Sequence, residues 1–73
     1  MRMNELKARC KEVWLNRYAE YYEFRQSFGM ADEDTKMTAH DLYVTEDAIR
    51  AITGGMLSDA DFEKWEAELY ENS

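Results

Sequence analysis

The stretch that decides the fold of this chain is residues 4–28, NELKARCKEVWLNRYAEYYEFRQSF, which contains neither Gly nor Pro. At about 100° per residue, the rotation of an α-helix, its apolar side chains fall on one arc and its polar side chains on the opposite one. With Met3 just before it, the apolar arc comprises Met3, Leu6, Cys10, Val13, Trp14, Tyr21, Phe24 and Phe28. Asn4 is placed to cap this helix, and Gly29 to end it in the left-handed conformation. The pattern predicts one long amphipathic helix.

Shorter helices are predicted for the rest of the chain. Residues 29–37, GMADEDTKM, are predicted to form an acidic loop. Helix-start patterns, in which apolar residues flank a hydroxyl cap, then recur at Thr38, Thr45 and Ser58. The helices predicted from them cover residues 39–43, 46–53 and 59–71. Gly54-Gly55 ends the second helix, and a single helix in place of the first two is the alternative, because nothing breaks the chain between them. The predicted fold class is all-α, one long N-terminal helix packed against two or three shorter helices.

The expected core is small. The last helix carries an apolar stripe of Phe62, Trp65 and Leu69. This stripe is expected to pack against the long helix together with Leu42, Val44, Ile49, Ile52 and Leu57. A chain of this size gains only a few kcal/mol of net stability from such a core. We therefore expect a single domain over residues 1–73 that would gain stability from a partner or from self-association.

The charge balance and composition exclude several classes of protein. Sixteen Asp and Glu face nine Lys and Arg among 73 residues, a net charge of −7, and twelve of these acids follow Gly29. Nucleic-acid binding depends on clustered Lys and Arg, so direct binding to DNA or RNA is not expected. No apolar run could span a bilayer and no signal-peptide core is present, which predicts no membrane contact. The single cysteine, Cys10, indicates a reducing, cytoplasmic location.

Catalysis has no support in the sequence. No nucleophile stands beside a base, and no glycine-rich phosphate loop or Cys/His metal cluster is present. His40 is expected at an exposed position of a short helix, and Cys10 on the apolar arc is expected to be a buried structural thiol. The sequence therefore predicts a protein that is not an enzyme and that uses no cofactor.

A calcium site is the one metal hypothesis that the sequence allows to be tested. Residues 30–41 can be aligned with a twelve-residue calcium loop, with Asp32, Asp34 and Asp41 at its third, fifth and twelfth positions. Met30 then occupies the first ligand position, and Thr35 replaces the glycine of the sharp turn. Losing both should abolish useful affinity, so we predict no metal site.

A second apolar flank on the long helix predicts an interface. It consists of Leu15, Tyr18, Ala19 and Tyr22 and is bordered by Lys7, Lys11 and Arg25. With the core arc it covers more than half of the helix circumference, more than a three-helix packing needs. Tyr beside Arg is typical of interface anchors. The predicted partner-binding residues are Leu15, Tyr18, Tyr22 and Arg25, and the alternative is that the chain's own short helices cover this flank.

Arg17 stands out within the core arc of the same helix. A buried guanidinium needs a carboxylate, so we expect Arg17 to pair with an acid of the last helix, for instance Glu66. Failing that, it would mark an interface.

The leading functional hypothesis is a small acidic helical protein that binds a partner protein with a basic surface, as an inhibitor or adaptor. An origin in a phage or another mobile element is compatible with this role. The first alternative is a nucleic-acid mimic that blocks a DNA- or RNA-binding enzyme. Its phosphate-like acidic surface would be Asp59, Asp61, Glu63 and Glu66. The second alternative is a structural subunit of a homo-oligomer, in the simplest case a homodimer.

Overall fold

Three α-helices form the protein, as seen in a computed structural model that describes residues 2–71. They are α1 (Met3–Phe28), α2 (Glu33–Ile52) and α3 (Asp59–Glu71). No strand occurs in this part of the chain. The predicted all-α class, with a long N-terminal helix packed against shorter ones, is confirmed.

The long helix α1 begins earlier than predicted and ends where predicted. Arg2 is its N-cap residue and no side chain caps it, so Asn4 lies inside the first turn and does not cap the helix. At the other end Gly29 has a φ of 86°, and its N–H donates to the carbonyl oxygen of Arg25 at 2.9 Å. A side chain with a Cβ would be strained in that conformation, which is why a glycine ends this helix.

The prediction for residues 29–53 is wrong in its boundaries, because one helix of 20 residues replaces the two short helices and the second half of the predicted acidic loop, of which residues 29–32 remain outside a helix. Asp32 is the N-cap of α2, and its carboxylate accepts hydrogen bonds from the backbone N–H groups of Asp34 and Thr35. Asp caps a helix as well as Ser or Thr does. The alternative, that one helix takes the place of the two short ones, is therefore confirmed, although α2 starts at Glu33 and not at residue 39 as predicted.

The two threonines expected to begin helices lie inside α2. The Thr38 hydroxyl donates to the carbonyl oxygen of Thr35 at 2.7 Å, and the Thr45 hydroxyl donates to that of Asp41 at 2.8 Å. A hydroxyl can bond back to the preceding helical turn instead of capping a new helix. A cap pattern in the sequence therefore does not separate a helix start from a helix interior.

The connection between α2 and α3 is held by hydroxyl and carboxylate groups. Thr53 follows the last residue of α2, and its hydroxyl donates to the carbonyl oxygen of Ile49 and accepts from the N–H of Leu57. At the start of α3 the Asp61 carboxylate accepts from the backbone N–H of Ser58 at 2.9 Å. The predicted start of the last helix at Asp59, with Asp61 as the reciprocal acid, is confirmed.

The core is smaller than expected. The buried apolar side chains are Cys10, Trp14, Tyr18, Leu42, Ile49, Leu57, Phe62 and Trp65. The apolar side chains expected in the core but exposed in the structure are Met3, Val13, Phe28, Val44, Ile52 and Leu69. Val44 is 53% and Ile52 64% exposed, because the continuous α2 turns Leu42 and Ile49 toward α1 and leaves room there for three threonines, Thr35, Thr38 and Thr53.

The packing of the helices leaves an opening. Both α2 and α3 pack against α1, α2 far more extensively, and they approach each other least. Large aromatic side chains, Phe62 and Trp65, fill the space between α3 and α1. A cleft therefore remains between α2 and α3, with α1 as its floor. None of the helices over residues 2–71 is long and apolar enough to cross a bilayer.

Candidate functional site

The candidate site is this interhelical cleft, which has a volume of about 260 Å³. Its floor is aromatic and comes from Trp14, Tyr18 and Tyr21 of α1. Tyr43 of α2 and Phe62 of α3 supply aromatic side chains to the two walls. The lining is mixed, because five of its twelve residues carry a charge, and it differs in this from the mostly apolar pockets that bind small molecules.

Trp14 is the centre of the floor. Its ring lies 5.0 Å from the ring of Tyr18 and 6.1 Å from that of Phe62, both stacked, and 5.6 Å from the tilted ring of Trp65. Its indole Nε1–H donates to the Glu46 carboxylate at 2.8 Å. A buried indole N–H needs an acceptor, and Glu46 provides it at the edge of the cleft.

The cleft carries a net negative charge. The carboxylates that line it are Glu46, Asp59, Glu63 and Glu66, and one guanidinium, Arg25, gives a net charge of −3. Glu46 binds Trp14, and Asp59 pairs with Arg50. Glu63 and Glu66 form no ion pair with any residue between positions 2 and 71. These two carboxylates therefore have no ion-pair partner there, and Glu46 also keeps its negative charge because the indole that donates to it is neutral.

A guanidinium lies over an aromatic ring at two places, Arg25 within the cleft and Arg50 beside it. Arg25 lies 5.3 Å from the ring centroids of both Tyr21 and Tyr22, and a hydrogen bond to Tyr70 raises the pKa of its guanidinium. Arg50 lies 5.6 Å from the ring centroid of Phe62. Attraction between the cation and the face of the ring favours both arrangements.

The predicted partner-binding flank is partly covered by α3. Tyr18 was expected on an open surface, but it is only 5% exposed and its hydroxyl shares a 2.8 Å hydrogen bond with that of Tyr70. Leu15 and Arg25 are half-buried, and Tyr22 is 37% exposed. The alternative, that the chain's own helices cover this flank, thus holds for Tyr18. A shallow apolar groove of about 230 Å³ remains beside Tyr22 and Leu69.

The expectation for Arg17 is wrong. Its side chain is about half exposed and pairs with Glu20 of the same helix at 3.6 Å, so it is not a buried partner of Glu66. A long side chain can lay its stem on the apolar arc while its charged group stays in water. The position of Arg17 therefore supports neither a buried ion pair with the last helix nor an interface.

The predicted acidic surface is divided in the structure. Asp59 is paired with Arg50, and Asp61 accepts from Ser58 at the start of α3, so both serve the fold. Glu63 and Glu66 line the cleft. Glu46 belongs with them, and sequence reasoning missed it because its position depends on how α2 packs. The one signal in the sequence was that a buried Trp14 needs a hydrogen-bond acceptor for its indole N–H, which Glu46 provides.

The remaining candidate groups lie away from the cleft. His40 is exposed on α2, and Cys10 is a buried free thiol. The calcium-loop alignment fails on geometry, because residues 33–41 are helical. Between positions 2 and 71 no group of three or more His, Cys, Asp or Glu side chains is arranged to hold a metal ion.

Ionisation of the buried Tyr18 is expected to destabilise the fold at high pH. Burial raises the pKa of its hydroxyl well above the ordinary value of 10.0, and the hydrogen bond to Tyr70 and the charge of Glu66 raise it further. The folded state thus keeps Tyr18 neutral, so its contribution to stability is complete below pH 10 and is lost as the pH rises above it. In a tyrosinate absorbance titration, we expect Tyr18 to ionise last, together with the loss of helical circular dichroism.

The matched variant for this titration is Tyr18→Phe, which cannot ionise. It should move the onset of alkaline unfolding to higher pH. Ionisation of all five tyrosines before any loss of helix would contradict the protected position of Tyr18.

No protein-family model, curated protein or solved structure significantly matches this chain.

Proposed function

We propose that this chain is a non-enzymatic binding protein, of the inhibitor or adaptor type, whose interhelical cleft receives a basic surface of a partner protein. The observation that carries the proposal is the combination in one open cleft of an aromatic floor and a net charge of −3. Opposite charge steers a basic partner toward the cleft and disfavours an acidic one.

Two kinds of contact would hold the partner. The rings of Tyr21 and Tyr43 line the cleft, and Tyr43 is largely exposed, so apolar groups of a partner can pack on them. Tyr is among the side chains that most often anchor protein interfaces. Glu63 and Glu66 supply charge that no ion pair within residues 2–71 neutralises. A protein that acts by covering a surface of its partner needs no catalytic group.

The test compares capture of proteins from the lysate of the source cells by three forms of the chain. They are the wild type, the cleft variant Glu63→Gln/Glu66→Gln, and the control variant Glu12→Gln/Glu23→Gln, which makes the same charge change on exposed positions of α1. We expect the wild type and the control to enrich the same basic protein. The cleft variant should bind it at least about tenfold more weakly, which is about 1.4 kcal/mol.

Equal loss of capture by the two variants would show that only net charge matters, and equal retention would show that the cleft is not used. Both results would overturn the proposal. A partner that double-stranded DNA or RNA displaces would indicate the nucleic-acid mimic. A mass that rises with concentration in sedimentation, without added protein, would indicate self-association.

A further inference from the structure

We infer that the cleft receives a single arginine side chain of the partner, with its guanidinium between the aromatic floor and the carboxylates of α3. This inference rests on the proposed function and names the group that the cleft recognises. It follows from three features of the cleft: its size, its unpaired charge and the way its rings already accept guanidinium groups.

The size of the cleft favours one side chain over a larger ligand. Its volume is about 260 Å³, below the range of about 300–1,000 Å³ that holds drug-sized molecules. A folded partner presenting a flat surface could reach only the rim. A long unbranched side chain that ends in a cation could enter the cleft and reach the half-buried ring of Tyr21, above the buried Trp14.

The carboxylates of Glu63 and Glu66 are placed so that a cation of a partner protein could lie between them. Glu63 and Glu66 are one helical turn apart on α3, so their carboxylates lie on the same face. Neither is paired within the described chain, and Arg25, the guanidinium that also lines the cleft, is held by its contacts with Tyr21 and Tyr70. One additional positive charge placed between Glu63 and Glu66 would reduce the net charge of the cleft without displacing Arg25.

The rings show why arginine fits better than lysine. Tyr21 and Phe62 both line the cleft, and each already has a guanidinium of this chain close to its face, from Arg25 and Arg50. A planar guanidinium can stack on a ring while its fork of donors binds carboxylates, whereas an ammonium is a compact, more strongly hydrated charge. The exposed ring of Tyr43 offers one more aromatic face on the opposite wall.

The experiment uses three capped pentapeptides with glycines around one central residue: arginine, lysine, or citrulline, the neutral analogue of arginine. The signal is the indole N–H resonance of Trp14, which donates to Glu46 at the edge of the cleft. With the arginine peptide we expect a saturable shift of this resonance. The lysine peptide should need a concentration several-fold higher, and citrulline should leave the resonance unmoved.

Three variants locate the effect. Glu63→Gln/Glu66→Gln should abolish the shift, and Tyr43→Ala should weaken binding several-fold, since Tyr43 is exposed and its removal spares the core. The control Glu12→Gln/Glu23→Gln should bind as the wild type does. Helical circular dichroism equal to that of the wild type in the absence of peptide shows that each variant is folded.

The inference is overturned if the arginine and lysine peptides bind equally, if citrulline shifts the resonance as arginine does, or if the control variant loses binding as well. Capture of a basic protein that depends on the cleft, together with no response to the arginine peptide, would overturn this inference and leave the proposed function standing. Displacement of the captured protein by the arginine peptide, but not by the citrulline peptide, would support both.

Discussion

Replacing Trp14 with Ala is expected to lower the free energy of unfolding by about 3–5 kcal/mol. Trp14 is 1% exposed and contacts the rings of Tyr18, Phe62 and Trp65, so the substitution removes the side chain that joins α1 to α3. A three-helix chain of 73 residues has only a few kcal/mol of net stability. The variant should therefore be largely unfolded at 25 °C, which far-UV circular dichroism in a urea titration would show.

Val13→Ala is the matched control, because Val13 precedes Trp14 on the same helix but is 49% exposed. Its effect should stay within about 0.5 kcal/mol, as for most surface substitutions. Trp14→Phe should fall between the two, since it keeps a ring in the core but removes the donor to Glu46. If Trp14→Ala instead unfolds cooperatively within about 1 kcal/mol of the wild type, the core is not centred on this residue.

The two helices that could be predicted with good boundaries are those whose ends are marked by local chemistry. Gly29 ends α1 because its backbone conformation is one that only glycine adopts easily. Ser58 and Asp61 mark the start of α3 through a hydrogen bond between neighbours in sequence. Such signals lie within a few residues of each other, so the sequence contains them in full.

The start of α2 is not where the sequence predicts it, because the cap patterns at Thr38 and Thr45 indicate later helix starts. Asp32 lies in the segment predicted as a loop, although Asp caps a helix as well as Thr does. Tertiary packing selects Asp32: the buried Thr35, one turn later, donates its hydroxyl to the carbonyl oxygen of Phe24 near the end of α1. That contact joins two helices and is invisible in a local pattern.

The candidate site was predictable in its charge but not in its shape. The acids Glu63 and Glu66 could be identified from the sequence as part of an acidic face, and they line the cleft. The sequence left open whether the chain's own helices cover Tyr18, because its burial depends on Tyr70 reaching back to α1 from the end of α3. The cleft exists because α2 and α3 both pack on α1 and contact each other least, and the sequence of one helix does not encode how two others are placed.

Replacing Thr53 with Val is expected to lower the free energy of unfolding by about 2 kcal/mol. The Thr53 hydroxyl joins the end of α2 to the segment before α3 in both directions, donating to the carbonyl oxygen of Ile49 and accepting from the N–H of Leu57. Valine has nearly the same shape, so the substitution leaves no cavity. It does leave the N–H of Leu57 buried without an acceptor, and that desolvation is the larger part of the cost.

Thr45→Val is the control that isolates this cause. The Thr45 hydroxyl donates to the carbonyl oxygen of Asp41 one turn earlier, as Thr53 does to Ile49, but no backbone N–H donates to it. Because α2 continues on both sides of Thr45, its backbone stays paired and the expected change is within about 0.5 kcal/mol. Urea titrations of both variants measure the difference. Equal effects would mean that the hydrogen bond from the N–H of Leu57 to Thr53 contributes nothing to stability, and would contradict the prediction.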